Sequence, residues 1–384
     1  MASPTCTLYV EAPGEGPPLG LRLIGWMTAY ASAENFGVTF VHTSFDTAGE
    51  LDSSVPPGGW DAALGLGADE ATSKSLHAAA IASGLPTPGV KVLESWRGVR
   101  YDEDVFRRGP WWGDMNEVSS NCGKILRVPP HSRPYDSSWL TKGAMALKFA
   151  LARESRAARG LDPPLLWDAE RDINIAVHVR RAVFVDAETE GTPFEWDDEI
   201  ALSRWELDES SNSIKDPLYL GQRIWYPTRE AVLARIVRET VLPALLAEGL
   251  PAERLVVHVF SQWPHAEGFP ALASLAGTRG GGAGAGDGGV RVSWHLGAAL
   301  SAWETLFHLT QADVLVSSAS HFSFFAAQLS SRPLVLAQED FDKWRLCGEG
   351  SVCCRRDGTC EFYAGVRMRE AARRLGALQR CGAG

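Results

Sequence analysis

The feature that most constrains this chain is a rhythm in its second half. Five short apolar runs recur there: INIAVHV (173–179), RLVVHVFS (254–261), VRVSW (290–294), ADVLVSS (312–318) and RPLVLA (332–337). Between them lie stretches with helical spacing, at 228–251, about 298–310 and about 321–330. Strands joined through helices pair in parallel, because a tight turn cannot bring the next strand alongside in the same direction. The expected product is a doubly wound α/β sheet. The chain opens in a similar way, with a strand at TLYV (7–10) and the Gly/Pro loop EAPGEGPPLG. A helical stretch at 21–35 follows, with Leu21, Ile24, Met27 and Ala31 on one face, then Gly37 as a C-cap and a strand at VTFVH (38–42). The loop carries neither GxGxxG nor GK[ST], so it is not a dinucleotide or P-loop fingerprint.

A length of 384 residues exceeds what one hydrophobic core usually organises, so two domains are expected. A helix over 142–160 ends at Gly160, and the Pro163–Pro164 break after it marks the boundary. This gives an N-terminal α/β domain at 1–165 and a C-terminal Rossmann-like domain at 166–384, facing each other across a cleft. Residues 85–140, rich in Pro, Gly and Trp, are expected to form long loops and short elements, and 182–217 a long acidic loop. In the 228–251 helix Thr228 is the expected N-cap, and Pro243 should kink or divide it. The glycine tract TRGGGAGAGDGG (278–289) has the composition of a flexible surface insertion.

The net charge of -10 argues against a general nucleic-acid or anionic-membrane binder, which needs a broad basic face. No apolar run approaches the roughly 20 residues that span a bilayer, and MASPTCTLYV has no signal-peptide pattern. Among the seven cysteines, Cys347, Cys353, Cys354 and Cys360 cluster without paired CxxC knuckles. Free thiols, a disulfide and a metal site all remain open for them. Serine-hydrolase GxSxG and zinc HExxH patterns are absent.

In an open parallel sheet, ligands bind outside the carboxyl ends of the strands. The first such end reads His178-Val179-Arg180-Arg181. Arginine offers a planar fork of donors that suits phosphate oxygens and stays charged at physiological pH. Pairing with Glu170, Asp172 or Asp186 is the alternative use of these two guanidiniums. The second end, ADVLVSSASHFSFFAAQLS (312–330), runs into Ser317, Ser318 and Ser320 and then a helix. Backbone N–H groups and the dipole at a helix start favour an anion, although a serine there also serves as an ordinary N-cap. The third, HVFSQ (258–262), brings Ser261 and Gln262 to the same edge. A guanidinium fork beside a serine-rich helix start describes a diphosphate clamp that needs no metal. That is the requirement of a transferase whose leaving group is a nucleoside diphosphate.

HVRR followed downstream by ADVLV-S-x-S-x-FS-xx-AA-x-L resembles the fucosyltransferases of the HxRR type, the α1,2, α1,6 and nodulation-type enzymes. The resemblance covers the second half reasonably, residues 20–42 loosely and little of 85–165. It implies a GT-B-like fold and inverting, metal-independent transfer of fucose from GDP-fucose to a glycan hydroxyl. It places the β-phosphate on Arg180 and Arg181, the nucleoside beside His178 and, less securely, the guanosine part on Glu304. The Ser320-His321 turn would hold phosphate. The implied setting is the Golgi or secretory lumen, and the first domain would present the acceptor. The family pattern continues RR-G-D or RR-T-D, whereas Ala182-Val183 follow in this chain. Asp186 is the nearest replacement for the missing carboxylate and the candidate base, with Glu188 and Glu190 beyond it. A relative that binds nucleotide or carbohydrate without turnover, and a transferase using another nucleotide sugar, are the alternatives.

Other signals are weaker. Asp102-x-Asp104 has the form of a metal–diphosphate motif but follows no apolar strand. EWDDE (195–199) has carboxylates suited to a general base but the composition of a solvated loop. Trp111, Trp112 and Trp263 suit either sugar stacking or core packing.

Overall fold

The computed structural model describes residues 9–11, 39–45, 55–84, 87–92, 124–127, 138–179 without 170, 206–208, 213–215, 223–225, 230–278 without 263, 289–330 without 319, 334–338, 351–354 and 359–360, with single residues 23, 26, 27, 29, 30, 33, 369 and 373. The chain divides into two compact units, residues 1–163 with 328–331, and residues 164–327 with 332–384.

The first unit is built on five parallel strands: β1 (Tyr9–Glu11), β2 (Thr39–His42), β3 (Ala71–Thr72), β4 (Gly89–Val92) and β5 (Lys124–Arg127). Their order is β3-β2-β1-β5-β4. β4 and β5 are short elements inside the Pro/Gly/Trp-rich stretch. Between β1 and β2 the backbone is helical at Leu23, Trp26, Met27, Ala29, Tyr30 and Ala33, as expected for 21–35. Met27 of the expected face is buried along with Leu23, Trp26, Ala29 and Ala33, while Leu21, Ile24 and Ala31 lie outside the described residues. The Trp26 ring meets Phe40 of β2 edge-on at 4.9 Å. Helix α1 (Gly59–Leu64) and the long helix α3 (Ser138–Ala158) flank the sheet strands in sequence, with α2 (Ser73–Ala82) between them. Gly65, the C-cap of α1, has φ +72, and a Cβ there would stand 2.5 Å from the Lys148 carbonyl oxygen. Only glycine satisfies both the left-handed backbone and the close approach to α3. α3 ends as expected at Gly160, also at positive φ.

The second unit holds six parallel strands: β6 (Ile173–His178), β10 (Leu255–Ser261), β11 (Arg291–Leu296), β12 (Val314–Ser317), β13 (Leu334–Gln338) and β14 (Ser351–Cys354). Each falls on or beside a run that the sequence rhythm predicts, except β14 in the cysteine cluster. The sheet order is β11-β10-β6-β12-β13-β14. β6 comes first in the chain yet lies near the centre. From it the chain steps outward through β10 to β11, then returns to the other side of β6 with β12, β13 and β14. That is the doubly wound order of a Rossmann sheet, with its switch point between β6 and β12.

Residues 182–217 are not one loop. β7 (Glu206–Asp208) and β8 (Ser213–Lys215) pair antiparallel, and β8 pairs with β9 (Arg223–Trp225). Three-residue strands are too short to print a period-2 signature, which is why composition alone read as loop there.

The 228–251 stretch is divided as Pro243 requires. α4 (Glu230–Ile236) passes through a π-turn at Val237–Val241 into α5 (Leu242–Ala247). Pro243 has no N–H to give and its ring crowds the preceding turn. The turn widens instead, with the Leu242 N–H donating to the Val237 carbonyl, and Pro243 sits in the first turn of α5. Thr228 lies outside the described residues. The buried Glu230 carboxylate accepts from the Ala271 and Leu272 N–H groups, both at 3.0 Å, and so caps helix α6 (Pro270–Ala273).

The two faces of the second sheet differ in kind. One is apolar: Ile173, Ile175, Val177, Val179, Leu255, Val257, Val259, Val314 and Val316 join one core with Leu233, Ile236, Val237, Val241 and Leu245, with Trp294 of β11 packed against it. The alternate residues of β6 and β10 put polar groups on the other face. There His258 Nε2 lies 3.1 Å from Asn174 Oδ1, and His258 Nδ1 shares a hydrogen bond with His295 Nε2 at 3.0 Å. Trp167 rests on His258 and His308 with ring centroids 4.6 and 5.1 Å away. His308 belongs to helix α7 (Ala302–Gln311), its Nδ1–H donating to the Glu304 carbonyl and its Nε2 accepting from the Leu166 N–H. Residues 279–288 of the glycine tract lie outside the described residues. Its flanks are joined: Gly277 N–H donates to the Val290 carbonyl at 3.0 Å, and Val290 N–H to the Thr278 carbonyl at 3.1 Å.

Candidate functional site

The carboxyl ends of β6 and β12 meet at the switch point. Ser317 is the register partner of His178, and the Ser318 N–H donates to the His178 carbonyl at 3.2 Å, extending the pairing one residue past β12. On the other side of β6, the Val179 N–H donates to the Phe260 carbonyl at 2.9 Å. His178, Ser261, Ser317 and Ser318 therefore share one sheet edge, as the strand-end argument expects. Ser261 is buried there, at the end of β10.

Helix α8 (His321–Leu329) starts directly above this edge. Ser320 caps it: its hydroxyl accepts from the Phe322 N–H at 3.3 Å and its carbonyl from the Phe324 N–H at 3.0 Å. The hydroxyls of this turn hold one another. Ser317 Oγ lies 2.9 Å from Ser323 Oγ and from the Ser318 carbonyl, while Ser323 Oγ reaches the Ser318 and Ser320 carbonyls. All four serines are buried. The described residues of this turn bond to one another, and the turn stands at the positive end of a nine-residue helix. His321 is the first residue of that helix, which puts its backbone at the position where a phosphate would be met.

His178 is held on two sides. Ser318 Oγ stands 3.3 Å from its Nδ1, and the Phe322 ring lies against it at 5.7 Å between centroids. Phe322 and Ser323 are parts of the site that sequence reasoning passed over. The signal was present in Ser323, three residues after the cap, where a helix's first turn folds back on its start.

Glu304 sits in the first turn of α7, which precedes β12 in the chain. It completes a capping box: Glu304 Oε2 accepts from the Ser301 N–H at 2.7 Å, and Ser301 Oγ accepts from the Glu304 N–H at 3.2 Å. The bonds from Ser301 hold its carboxyl below the usual carboxylate range. One of its oxygens is thus committed to the helix.

Arg180, Arg181 and Asp186 lie outside the described residues, as do Glu170, Ala182, Val183, Glu188 and Glu190. So do Asp102, Asp104, Trp111, Trp112, Trp263 and the EWDDE loop. Gln262 is exposed at the end of β10. In the cysteine cluster, Cys354 of β14 is disulfide-bonded to Cys360, which selects one of the three open readings for that pair. Cys347 is outside the described residues. Among the described residues no group of three or more His, Cys, Asp or Glu side chains is arranged to hold a metal, and no helix is long and apolar enough to cross a membrane.

Compared with known proteins, no family model matches the chain and no curated protein matches it. Solved structures do. POFUT1 in complex with GDP-fucose aligns over 86% of this chain and 97% of its own, at 13% identity and a TM-score of 0.43. POFUT1 in complex with GDP aligns over 86% and 98%, at 14% identity and a TM-score of 0.42. The fucosyltransferase NodZ from Bradyrhizobium aligns over 85% and 94%, at 13% identity and a TM-score of 0.36. The chain is structurally similar to these fucosyltransferases, a likeness of architecture between very different sequences.

Proposed function

We propose that the second unit binds a nucleoside diphosphate sugar at the β6–β12 switch point, and that the chain transfers fucose from GDP-fucose to a glycan hydroxyl with inversion. The observation that carries the reading is the meeting of His178 with the Ser317–Ser320 turn at the start of α8. That juxtaposition puts a helix start beside the strand that runs on into Arg180 and Arg181. The choice of GDP-fucose within this ligand class rests on the HVRR motif and its downstream partner.

The chemistry follows from charge. As the glycosidic bond to fucose breaks, negative charge grows on the departing diphosphate. Arg180 and Arg181 would stabilise it by charge-assisted bonds, and the N-terminus of α8 by its dipole, without a metal. Inversion needs a base on the acceptor hydroxyl, a role that falls to Asp186, with the first unit presenting the acceptor. Ala182-Val183 in place of the expected Gly-Asp favour a second reading, a binder of the nucleotide without turnover.

In a thermal-shift comparison of GDP, UDP and ADP, GDP stabilises the chain and the other two do not. Stabilisation by UDP alone would overturn the donor assignment. Release of GDP from GDP-fucose in the presence of acceptor glycans separates transfer from binding without turnover. Arg181→Ala weakens GDP binding by roughly 10- to 100-fold, the loss expected of one charge-assisted contact, measured by isothermal titration calorimetry. Unchanged affinity would remove the clamp.

A further inference from the structure

Ser318 was expected among the residues that bind the donor nucleotide. Its surroundings assign it elsewhere. Its relative exposure is 0%, against 9% for His178, and its hydroxyl faces His178 Nδ1 at 3.3 Å. A hydroxyl that water cannot reach from the ligand side cannot be the ligand's own partner without moving the turn that holds it. That turn is bound tightly, by the Ser318 N–H on the His178 carbonyl and by the Ser317–Ser323 hydroxyl pair.

We propose that Ser318 is a positioning residue that fixes the ring plane and tautomer of His178 at the switch point, so that nucleoside diphosphate recognition by His178 depends on it. Two links join the same pair of residues. The backbone bond sets the distance between the β6 and β12 ends, and the side-chain bond then falls into place at Nδ1. Phe322 completes the cradle by limiting the ring's rotation from another side. An imidazole whose Nδ1 is committed to a hydroxyl keeps one tautomer and one plane, whereas an unrestrained ring exchanges tautomers and loses orientation. The buried hydroxyl thus acts through the ring it holds. This inference rests on the nucleotide-binding reading above for its functional half, and on the Ser318–His178 contact alone for its structural half.

The test uses the full chain with labelled histidine. In Ser318→Ala the ring nitrogen shifts of His178, assigned by comparison with His178→Gln, move toward those of an exchanging imidazole, and its titration midpoint changes without ligand. GDP binding weakens by about 3- to 10-fold, the effect of losing one neutral hydrogen bond, and its pH profile shifts with the His178 midpoint. Ser318→Thr, which keeps the hydroxyl, restores the wild-type His178 spectrum. An unchanged His178 spectrum and titration in Ser318→Ala overturns the proposal, whatever happens to stability. So does a GDP affinity that falls while the pH profile stays fixed. If the unaltered chain does not bind GDP, the nucleotide reading fails, and with it the functional half of the proposal, while the histidine spectra still decide the contact.

Discussion

Arg156→Ala lowers the stability of the first unit by about 3–5 kcal/mol, the penalty for stranding one half of a buried ion pair. Arg156 is 1% exposed, near the end of α3. Its Nε–H donates to Asp162 Oδ1 at 2.6 Å, its Nη1–H donates to the Ala63 carbonyl, and the guanidinium carbon lies 5.2 Å from the centroid of the Phe149 ring. One side chain therefore ties the C-terminal turn of α3 to the last turn of α1, right beside the Gly65 close approach. Removing it leaves a carboxylate, a carbonyl and a cavity together. Urea unfolding followed by tryptophan fluorescence should show an early transition moved to lower denaturant, since the two units need not unfold as one. Arg156→Met combined with Asp162→Asn should be less destabilised than the sum of the single variants, because no charge is then stranded. Additive losses would mean that the pair contributes nothing as a pair.

Lowering the pH from 7 to 5 should remove a further few kcal/mol from the second unit before carboxylates begin to titrate. Burial, with charge repulsion from His295, His308 and Arg291, pushes His258 down to about 3. Burial, and His308 beside it, push His295 down to about 4. Burial also lowers His308, against the pull of bonds to the Glu304 and Pro164 carbonyls. The unfolded chain binds protons at the ordinary histidine value near 6.5, and the folded chain does so only at the lower values. Stability is thus fully present above pH 6.5 and is lost progressively as pH falls toward 4 and then 3. For His258 the loss at pH 5 is about 2 kcal/mol. The bonding fits a neutral ring. His258 Nε2 lies 3.1 Å from Asn174 Oδ1 and its Nδ1 lies 3.0 Å from His295 Nε2. The two rings thus face each other through a contact that holds one proton, and charging both rings would set two donors against each other. Chemical denaturation at pH 7, 6 and 5 measures the slope, and His258→Gln should flatten it. A slope unchanged in that variant would sink the assignment.

Much of this was legible in the sequence because parallel strands buried on both faces leave clear apolar runs. INIAVHV and RLVVHVFS announced β6 and β10, and even their alternation carried meaning. Among the residues between the Ile and Val positions, Asn174 and His258 supply the polar groups of the other face. Pro243 announced the break in the long helix, although a π-turn rather than a kink absorbs it. What the sequence could not supply was pairing across distance. Nothing local links Ser318 to His178, or His258 to His295 and Asn174. Those partners meet only because β12 returns to the far side of β6 and β11 continues the near side. The strand-end serines were legible because strand carboxyl ends carry the ligand edge. But a hydroxyl there faces either the ligand or the residue that meets it, and the His178 partner of Ser318 could not be read locally. The pair Cys354 and Cys360 was undecidable from spacing, because the choice depends on β14 ending beside Cys360.

The bonds between Gly277, Thr278 and Val290 have a consequence for the glycine tract between them. They place the two ends of residues 279–288 beside each other as neighbours in a short ladder, whatever the intervening residues do. The entropy of closing a loop between ends already held together scales with the logarithm of its length, so each doubling costs only about 0.6 kcal/mol. Between Thr278 and Gly289 the chain can therefore gain or lose residues at little cost to the sheet. A length change there is close to thermodynamically silent, whereas a single residue added inside β10 would turn its aliphatic face outward.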